Sequence, residues 1–337
     1  MSVEIRDLDL RSDRDELIQF LYENLTQQMD RARFDWLYMQ NPFGPGRAWK
    51  AVNEVTGSTV GVAAAFPRRI WCQGQPRRGW VLGDFCIAAS SRTLGPAVFL
   101  QQACLRSIAV EDDSVWYDFP SRSMLAVYRR LGLQASADQT RYVKLFEIDS
   151  TVERHIPFNA LARTISLVGN SILKLRAICR SYSSDLDMSL LDGIFGEEFT
   201  EFDSRIAGPV TVRGVRTADY LNWRYLQHPF NRYRVVVARQ REELLGYGVL
   251  EVNGTEWTLM DLQALEESRT VPKILRYIEW LLRRSDAVRL TASIPEGAPL
   301  SSFLRRNGFY RREGTPIVTY GGATTANWYL MQGDRES

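Results

Sequence analysis

The strongest constraint on the fold is a motif written twice. Phe34 to Gly44 reads FDWLYMQNPFG, and Tyr220 to Asn231 reads YLNWRYLQHPFN. Trp36 and Trp223 lie 187 residues apart (223 − 36), as do Pro42 and Pro229 (229 − 42). A repeat at a fixed offset means two copies of one folding unit, and it decides the architecture before local propensity does. A chain of 337 residues holds two domains of roughly 150 residues each.

The likeness extends past the motif. RAWKAVNEVTGSTVGVAAAF and YRVVVARQREELLGYGVLEV each predict two strands joined by a polar turn. LGDFCIAASSRT (Leu82 to Thr93) then aligns without a gap on LMDLQALEESRT (Leu259 to Thr270). Leu100, Cys104 and Ile108 in the first copy, and Ile274, Ile278 and Leu282 in the second, have helical spacing. Short strands follow in SVWYDF and AVRLTASI. Then come helices closed by glycines, LAVYRRLG and SSFLRRNG, with Gly132 and Gly308 at C-terminal cap positions. The fold class is therefore α+β (mixed α/β), each unit a mixed central sheet flanked by helices.

The expected layout is a first domain over 1–150, a helical linker over 151–198, a second domain over 199–325 and a tail over 326–337. Within the linker, Phe158 to Cys179 predicts a helix that either bridges the units or pairs with a partner chain, which would make a homodimer. Trp36, Tyr38, Trp223 and Tyr225 are expected in the core, with Pro42 and Pro229 ending their helices.

Composition narrows the function classes. Forty-two basic side chains stand against 40 acidic ones, and the arginine pairs are scattered, so no surface for nucleic acid is expected. The four cysteines (Cys72, Cys86, Cys104 and Cys179) show no metal-ligand spacing, and His155 and His228 are the chain's two histidines, so no metal site is expected. Reduced thiols, a charged start without an apolar core and no run of 18 apolar residues predict a cytoplasmic protein without a membrane span.

One turn carries a chemical signal. In CIAASSRTLGPAVFLQQA a strand ends near Ala89 and a helix begins near Leu94. Such a turn exposes the N–H groups of the helix's first turn, and anionic phosphate oxygens bind there readily. Gly95 and Ala97 keep bulk away, Pro96 suits an early helical position, and Arg92 adds a charge.

The pattern Arg/Gln-x-x-Gly-x-Gly/Ala at this place resembles the coenzyme A motif of the GNAT acyltransferase superfamily. SRSMLAVYRRLGL resembles that family's second signature in loose form. Together these cover most of residues 1–147, with a weaker copy over about 200–321. The resemblance implies a tandem GNAT protein that uses acetyl-CoA or another acyl-CoA. Cys86 and Ile87 would pair with the pantetheine arm. Arg92, Thr93, Leu94, Gly95, Pro96 and Ala97 would hold the pyrophosphate, Ser121 would add a contact, and Tyr128 would be the general acid. Ser121, Met124 and Leu133 depart from the family's usual Asn, Ala and Phe.

Thioester aminolysis needs a proton acceptor for the ammonium and a donor for the departing thiolate. Asp84, on the strand face of Cys86, is a candidate base. Its recurrence as Asp261 leaves a structural role open, as the recurrence of Arg92 as Arg269 does for a salt bridge. Cys86 has no neighbouring pattern that would activate it as a nucleophile.

The second copy differs where it matters: Gly95, Ala97 and Tyr128 align with Pro272, Ile274 and Leu304. Catalysis is expected in the first unit, with a degenerate second unit that frames the acceptor or stabilises the first. The expected activity is transfer of an acyl group to a primary amine of a small molecule, such as an amino sugar or biosynthetic intermediate. A Fem-type aminoacyl transferase using aminoacyl-tRNA and a non-catalytic binding protein are the alternatives.

Overall fold

The computed structural model describes residues 2–25, 28–109, 115–146, 184–209, 211–321 and 327–336. The helix expected over 158–179, with Cys179 and His155, lies outside them. Close contacts divide the chain into two compact units: Met1–Gln139, Ala207–Pro229 and Thr315–Ser337 form unit 1, and Thr140–Ile206 and Phe230–Gly314 form unit 2. This differs from the contiguous layout read from sequence, because strand pairing and aromatic packing recruit residues distant along the chain.

In unit 1, β1 (Val3–Asp7), β2 (Arg47–Asn53), β3 (Thr59–Cys72) and β4 (Gln75–Ile87) form successive antiparallel pairs. β5 (Val115–Asp118) joins β4 in parallel. The part of the strand Tyr310–Tyr320 that belongs to unit 1 lies antiparallel on β5, with Val318 opposite Asp118 and Tyr320 opposite Trp116. Helices α1 (Arg14–Asn24) and α2 (Arg31–Phe34) precede β2; α3 (Leu94–Ala109) links β4 to β5, and α4 (Arg122–Arg130) follows β5.

The alternation of β3 and β4 puts Ala63, Ala65, Trp80 and Leu82 into one core with Leu100, Cys104 and Ile108 of α3. Met124, Val127 and Tyr128 of α4 close it. Burying one such aliphatic or aromatic side chain contributes roughly 1.5–3 kcal/mol. Gly132 follows α4 with φ +77°, the left-handed turn that stops the helix as its sequence predicts.

The first copy of the opening motif and the second as far as Pro229 belong to unit 1. Each begins as α-helix and continues as a five-residue π-helix, Asp35–Met39 and Asn222–Leu226. In each, an i→i−5 bond closes the wide turn: Gln40 N–H donates to Asp35 O and Gln227 N–H to Asn222 O, both at 2.9 Å. Trp36, Tyr38, Trp223 and Tyr225 are buried.

In unit 2, the strand Tyr233–Gln240 pairs antiparallel with Glu243–Asn253, which pairs with Glu256–Ala264, and Arg289–Pro295 adds in parallel. Ile274, Ile278 and Leu282 of the helix Glu267–Leu282 are buried, as their spacing requires. Lys144 Nζ reaches Glu279 Oε2 at 2.7 Å in the interior of this unit. Among the described residues no helix is long and apolar enough to cross a membrane.

Candidate active site

The site begins where two parallel strands part. β4 and β5 pair through Gly79–Val115, Trp80–Trp116 and Val81–Tyr117, and no further. Beyond that point β4 runs on through Leu82–Ile87 while the other chain passes through Asp118, Phe119, Pro120 and Ser121. Residues of both walls line one cavity of about 710 Å³. That volume falls within the usual range of ligand pockets.

A β-bulge shapes the β4 wall. Val62 faces Cys86 and Ala64 faces Gly83, so Asp84 and Phe85 share the place opposite Ala63. Asp84 takes φ +45°, a left-handed conformation that Asp tolerates better than most residues. Bulges of this kind re-aim side chains and interrupt the ladder. A register shift also occurs in unit 2, where Val249 faces Asp261 and Leu250 faces Leu259.

The bulge turns the Asp84 carboxylate into the protein. Arg33 Nη1 and Nη2 donate to Asp84 Oδ2 and Oδ1, each at 2.9 Å, and the Tyr38 hydroxyl donates to Oδ2 at 2.8 Å. The pair is almost completely enclosed. Asp84 lines the cavity, yet its oxygens are committed to three donors. That geometry suits a structural carboxylate better than a proton acceptor, which needs a free lone pair facing substrate.

On the same strand, Cys86 and Ile87 line the cavity. Burial, with the Asp84 charge behind it, pushes the Cys86 thiol up to about 12, so it stays protonated and weakly nucleophilic. The chain then passes through a short 3₁₀ turn, Ala89–Ser91, into α3. Arg92, Thr93, Leu94 and Ala97 line the cavity as well; Arg92 folds back so that its Nε donates to Ile87 O at 3.3 Å.

Leu94 and Gly95 are exposed, Pro96 and Ala97 are buried, and a Cβ at Gly95 would meet nothing within 4 Å. The first turn of a 16-residue helix thus faces open space, with N–H groups for which the helix itself has no acceptor. A diphosphate fits such a place chemically. Ser121 caps α4 by accepting from Met124 N–H at 3.2 Å and lines the cavity too.

Tyr128 stands elsewhere than a general acid would. It is fully buried, and its hydroxyl donates to Asp118 Oδ2 at 2.5 Å while accepting from Gln101 Nε2 at 3.2 Å. Burial and the neighbouring Asp118 charge raise its pKa well above the ordinary tyrosine value. Asp118, its partner, does line the cavity.

Two carboxyls in this pocket escaped the sequence reading. Burial raises Asp118 to about 7, against the lowering effect of the Tyr128 hydrogen bond; Glu336 adds to the rise and Arg335 opposes it. A group of pKa near 7 is suited to exchanging a proton at neutral pH. An acidic residue inside the apolar stretch VWYD was a readable signal for it. Glu336, half-buried in the cavity wall, left none in the sequence; burial raises its pKa too.

No family model matches the sequence, and no curated protein matches it. Solved structures do match the fold. A GCN5-related N-acetyltransferase from Anabaena variabilis superposes with a TM-score of 0.68 at 13% identity, covering 94% of this chain and 72% of that one. A probable N-acyltransferase from Enterococcus faecalis gives 0.66 at 10% identity, over 95% and 73%. The N-myristoyltransferase of Saccharomyces cerevisiae, solved with bound myristoylCoA, gives 0.56 at 12% identity, over 95% and 82%. The chain has the fold of the GCN5-related N-acetyltransferases, a mixed α/β architecture with a large mixed sheet flanked by helices.

Proposed function

We propose that this chain is an acyl-CoA-dependent N-acyltransferase whose reaction takes place in unit 1, with acetyl-CoA the simplest donor and a primary amine of a small molecule the acceptor. The observation that carries this reading is the cleft between β4 and β5, which joins an open helix N-terminus to a buried carboxyl of pKa near 7. The acyl-CoA bound by the yeast structural neighbour supports the same choice of donor.

In this reading the backbone of Cys86 and Ile87 continues its ladder on the pantetheine arm. Arg92, Thr93, Leu94, Gly95, Pro96 and Ala97 form the turn that holds the pyrophosphate, and Ser121 lies across the cleft from it. Asp118 takes the proton from the acceptor's ammonium. The freed amine forms a C–N bond to the thioester carbonyl, the C–S bond breaks, and the thiolate takes the proton held by Asp118. The new amide nitrogen then gives its remaining extra proton to the emptied Asp118 carboxylate, which passes it to solvent. Tyr128 acts through Asp118 as a positioning residue, and Asp84 organises the bulge through Arg33.

The second unit fits the role of a degenerate copy. At the offset of 177 (270 − 93), Arg92–Ala97 correspond to Arg269–Ile274. Those residues lie inside the helix Glu267–Leu282, with Pro272 in its interior and Ile274 buried. Where unit 1 opens a helix, unit 2 has already wound one, and its N–H groups are spent on the helix. A thermal shift with acetyl-CoA, followed by thiol release over a panel of amines, tests the proposal. Absence of any shift at saturating acetyl-CoA would sink it.

A further inference from the structure

We propose that Glu336 is the carboxylate that receives the acceptor's ammonium group beside Asp118, and that the acceptor is therefore an amine carrying positive charge at neutral pH. The inference rests on the N-acyltransferase reading above and assigns its acceptor side.

Glu336 is held in place by a clamp. The short turn Gln332–Asp334 is fixed by Met331 N–H donating to Asp334 Oδ2 at 2.8 Å and by Tyr117 Oη donating to Asp334 O at 3.0 Å. Arg216 Nη2 pairs with Asp334 Oδ1 at 2.7 Å, both side chains being buried. Arg224 donates to Gly333 O at 3.0 Å and to Arg335 O at 3.2 Å. These bonds lead the chain directly to Glu336 at the cavity wall. There it lies against Gly83 of β4, so closely that a Cβ on Gly83 would come 2.4 Å from Glu336 Cγ. The missing side chain makes room for the carboxylate.

Charge accounting points to what this carboxylate meets. Three carboxyl groups line the cavity: Asp84, Asp118 and Glu336. Asp84 is neutralised by Arg33. Arg92 also lines the cavity, with its Nε on Ile87 O. Arg335 donates to Gln139 Oε1 and Thr315 Oγ1, each at 2.8 Å, and stacks 4.4 Å from the Phe119 centroid. Among the described residues neither Asp118 nor Glu336 forms an ion pair. Two carboxyls facing one pocket with no cation in ion-pair contact suit a cationic ligand, since charges out of water without a close partner are costly.

Asp118 is faced by Tyr128 from α4, by Cys104 from α3, and by Arg335 and Glu336 from the C-terminal segment. Glu336 is faced by Asp84, Arg33 and Arg335. The Glu336 charge helps to hold Asp118 up, and Asp84 does the same for Glu336.

The test uses the full chain carrying Glu336→Gln. Expected are a KM for the amine raised at least tenfold, an acetyl-CoA thermal shift equal to wild type, and an acidic limb of the pH–rate profile moved to lower pH. Gly83→Ala, which displaces Glu336 and keeps its carboxyl, should raise the same KM. Unchanged amine KM and acidic limb in Glu336→Gln would overturn the assignment while leaving the transferase reading intact. A second arm needs no turnover: saturation-transfer NMR with propylammonium should detect binding to wild type and lose it in Glu336→Gln. Equal binding by both would also overturn the assignment. Propylammonium binding through Glu336 in a protein that ignores acetyl-CoA would sustain it and overturn the transferase reading instead.

Discussion

Trp36 and Trp223 hold each other by the same bond given in both directions. Trp36 Nε1–H donates to Trp223 O and Trp223 Nε1–H donates to Trp36 O, each at 2.9 Å. Their rings stack at 4.9 Å between centroids with 17° between planes. This is a local two-fold relation between the two copies of one sequence motif, and it explains why both copies keep the tryptophan. Each residue serves as the other's donor, acceptor and packing surface.

Replacing either tryptophan by phenylalanine removes a donor and leaves a buried carbonyl unpaired, a loss of about 1–3 kcal/mol. The two bonds, each from one indole to the other residue's backbone carbonyl, should be lost independently, whereas the ring stack is shared. The double replacement should therefore cost less than the sum of the singles by the stacking part alone. Urea unfolding of the two single variants and the double variant measures the difference; strict additivity would contradict a coupling through the ring stack.

Asp118 has a folded pKa of about 7 against an ordinary 3.8. A raised carboxyl contributes stability that is full below the unfolded value and is lost as pH rises through the folded one. The contribution of Asp118 to stability should therefore be lost between about pH 4 and pH 7, by roughly 1.4 kcal/mol per pH unit for one proton. Asp118→Asn should remove one proton's worth of that slope in denaturant titrations across pH, and should abolish acyl transfer.

Tyr128→Phe deletes the hydrogen bond that lowers Asp118. The Asp118 pKa should then rise above about 7, moving the acidic limb of the rate profile to higher pH and lowering turnover at neutral pH severalfold. Acetyl-CoA affinity should stay as in wild type. A lost turnover that higher pH fails to restore would point to direct proton donation by the tyrosine instead.

Arg33→Met leaves the Asp84 carboxylate enclosed with one neutral donor. Breaking a buried pair from one side costs about 3–5 kcal/mol, so this variant should lose thermal stability before it loses anything specific to turnover. Calorimetry would separate the cases: a stable, correctly melting protein with no activity would return Asp84 to the catalytic role.

Gly95→Glu places a carboxylate in the open space before α3. It should abolish the acetyl-CoA thermal shift that the proposed function expects of wild type, about 2.7 kcal/mol of stabilisation at a hundredfold excess over Kd. The corresponding change at Pro272 should leave that shift alone, since the aligned segment lies within a helix.

Local patterns carried far into this structure. The repeated aromatic motif, the strand-to-helix turn at Arg92–Ala97 and the glycine after α4 are all set by neighbours a few residues away. What depended on distant partners stayed hidden. Nothing near Asn222 says that it begins a π-helix, because the wide turn is supported by packing against Trp36. The seven residues VTYGGAT give no hint that Val318 lies opposite Asp118, which an intervening 200 positions (318 − 118) separate in sequence. Helical spacing placed Tyr128 on the inner face of α4 correctly, but not the direction of its hydroxyl. Glu336 was invisible because its position is fixed by arginines more than a hundred residues earlier.

The interleaved layout of unit 1 has a temporal side. Trp36 emerges during synthesis 187 residues ahead of its stacking partner (223 − 36), and β5 long before the segment Thr315–Tyr320 arrives to cover its edge. Pairings so far apart are slow to form, since a long loop must close before they reward the chain. The nascent first third must therefore wait, its sheet open on one side, until Thr315–Tyr320 has been made.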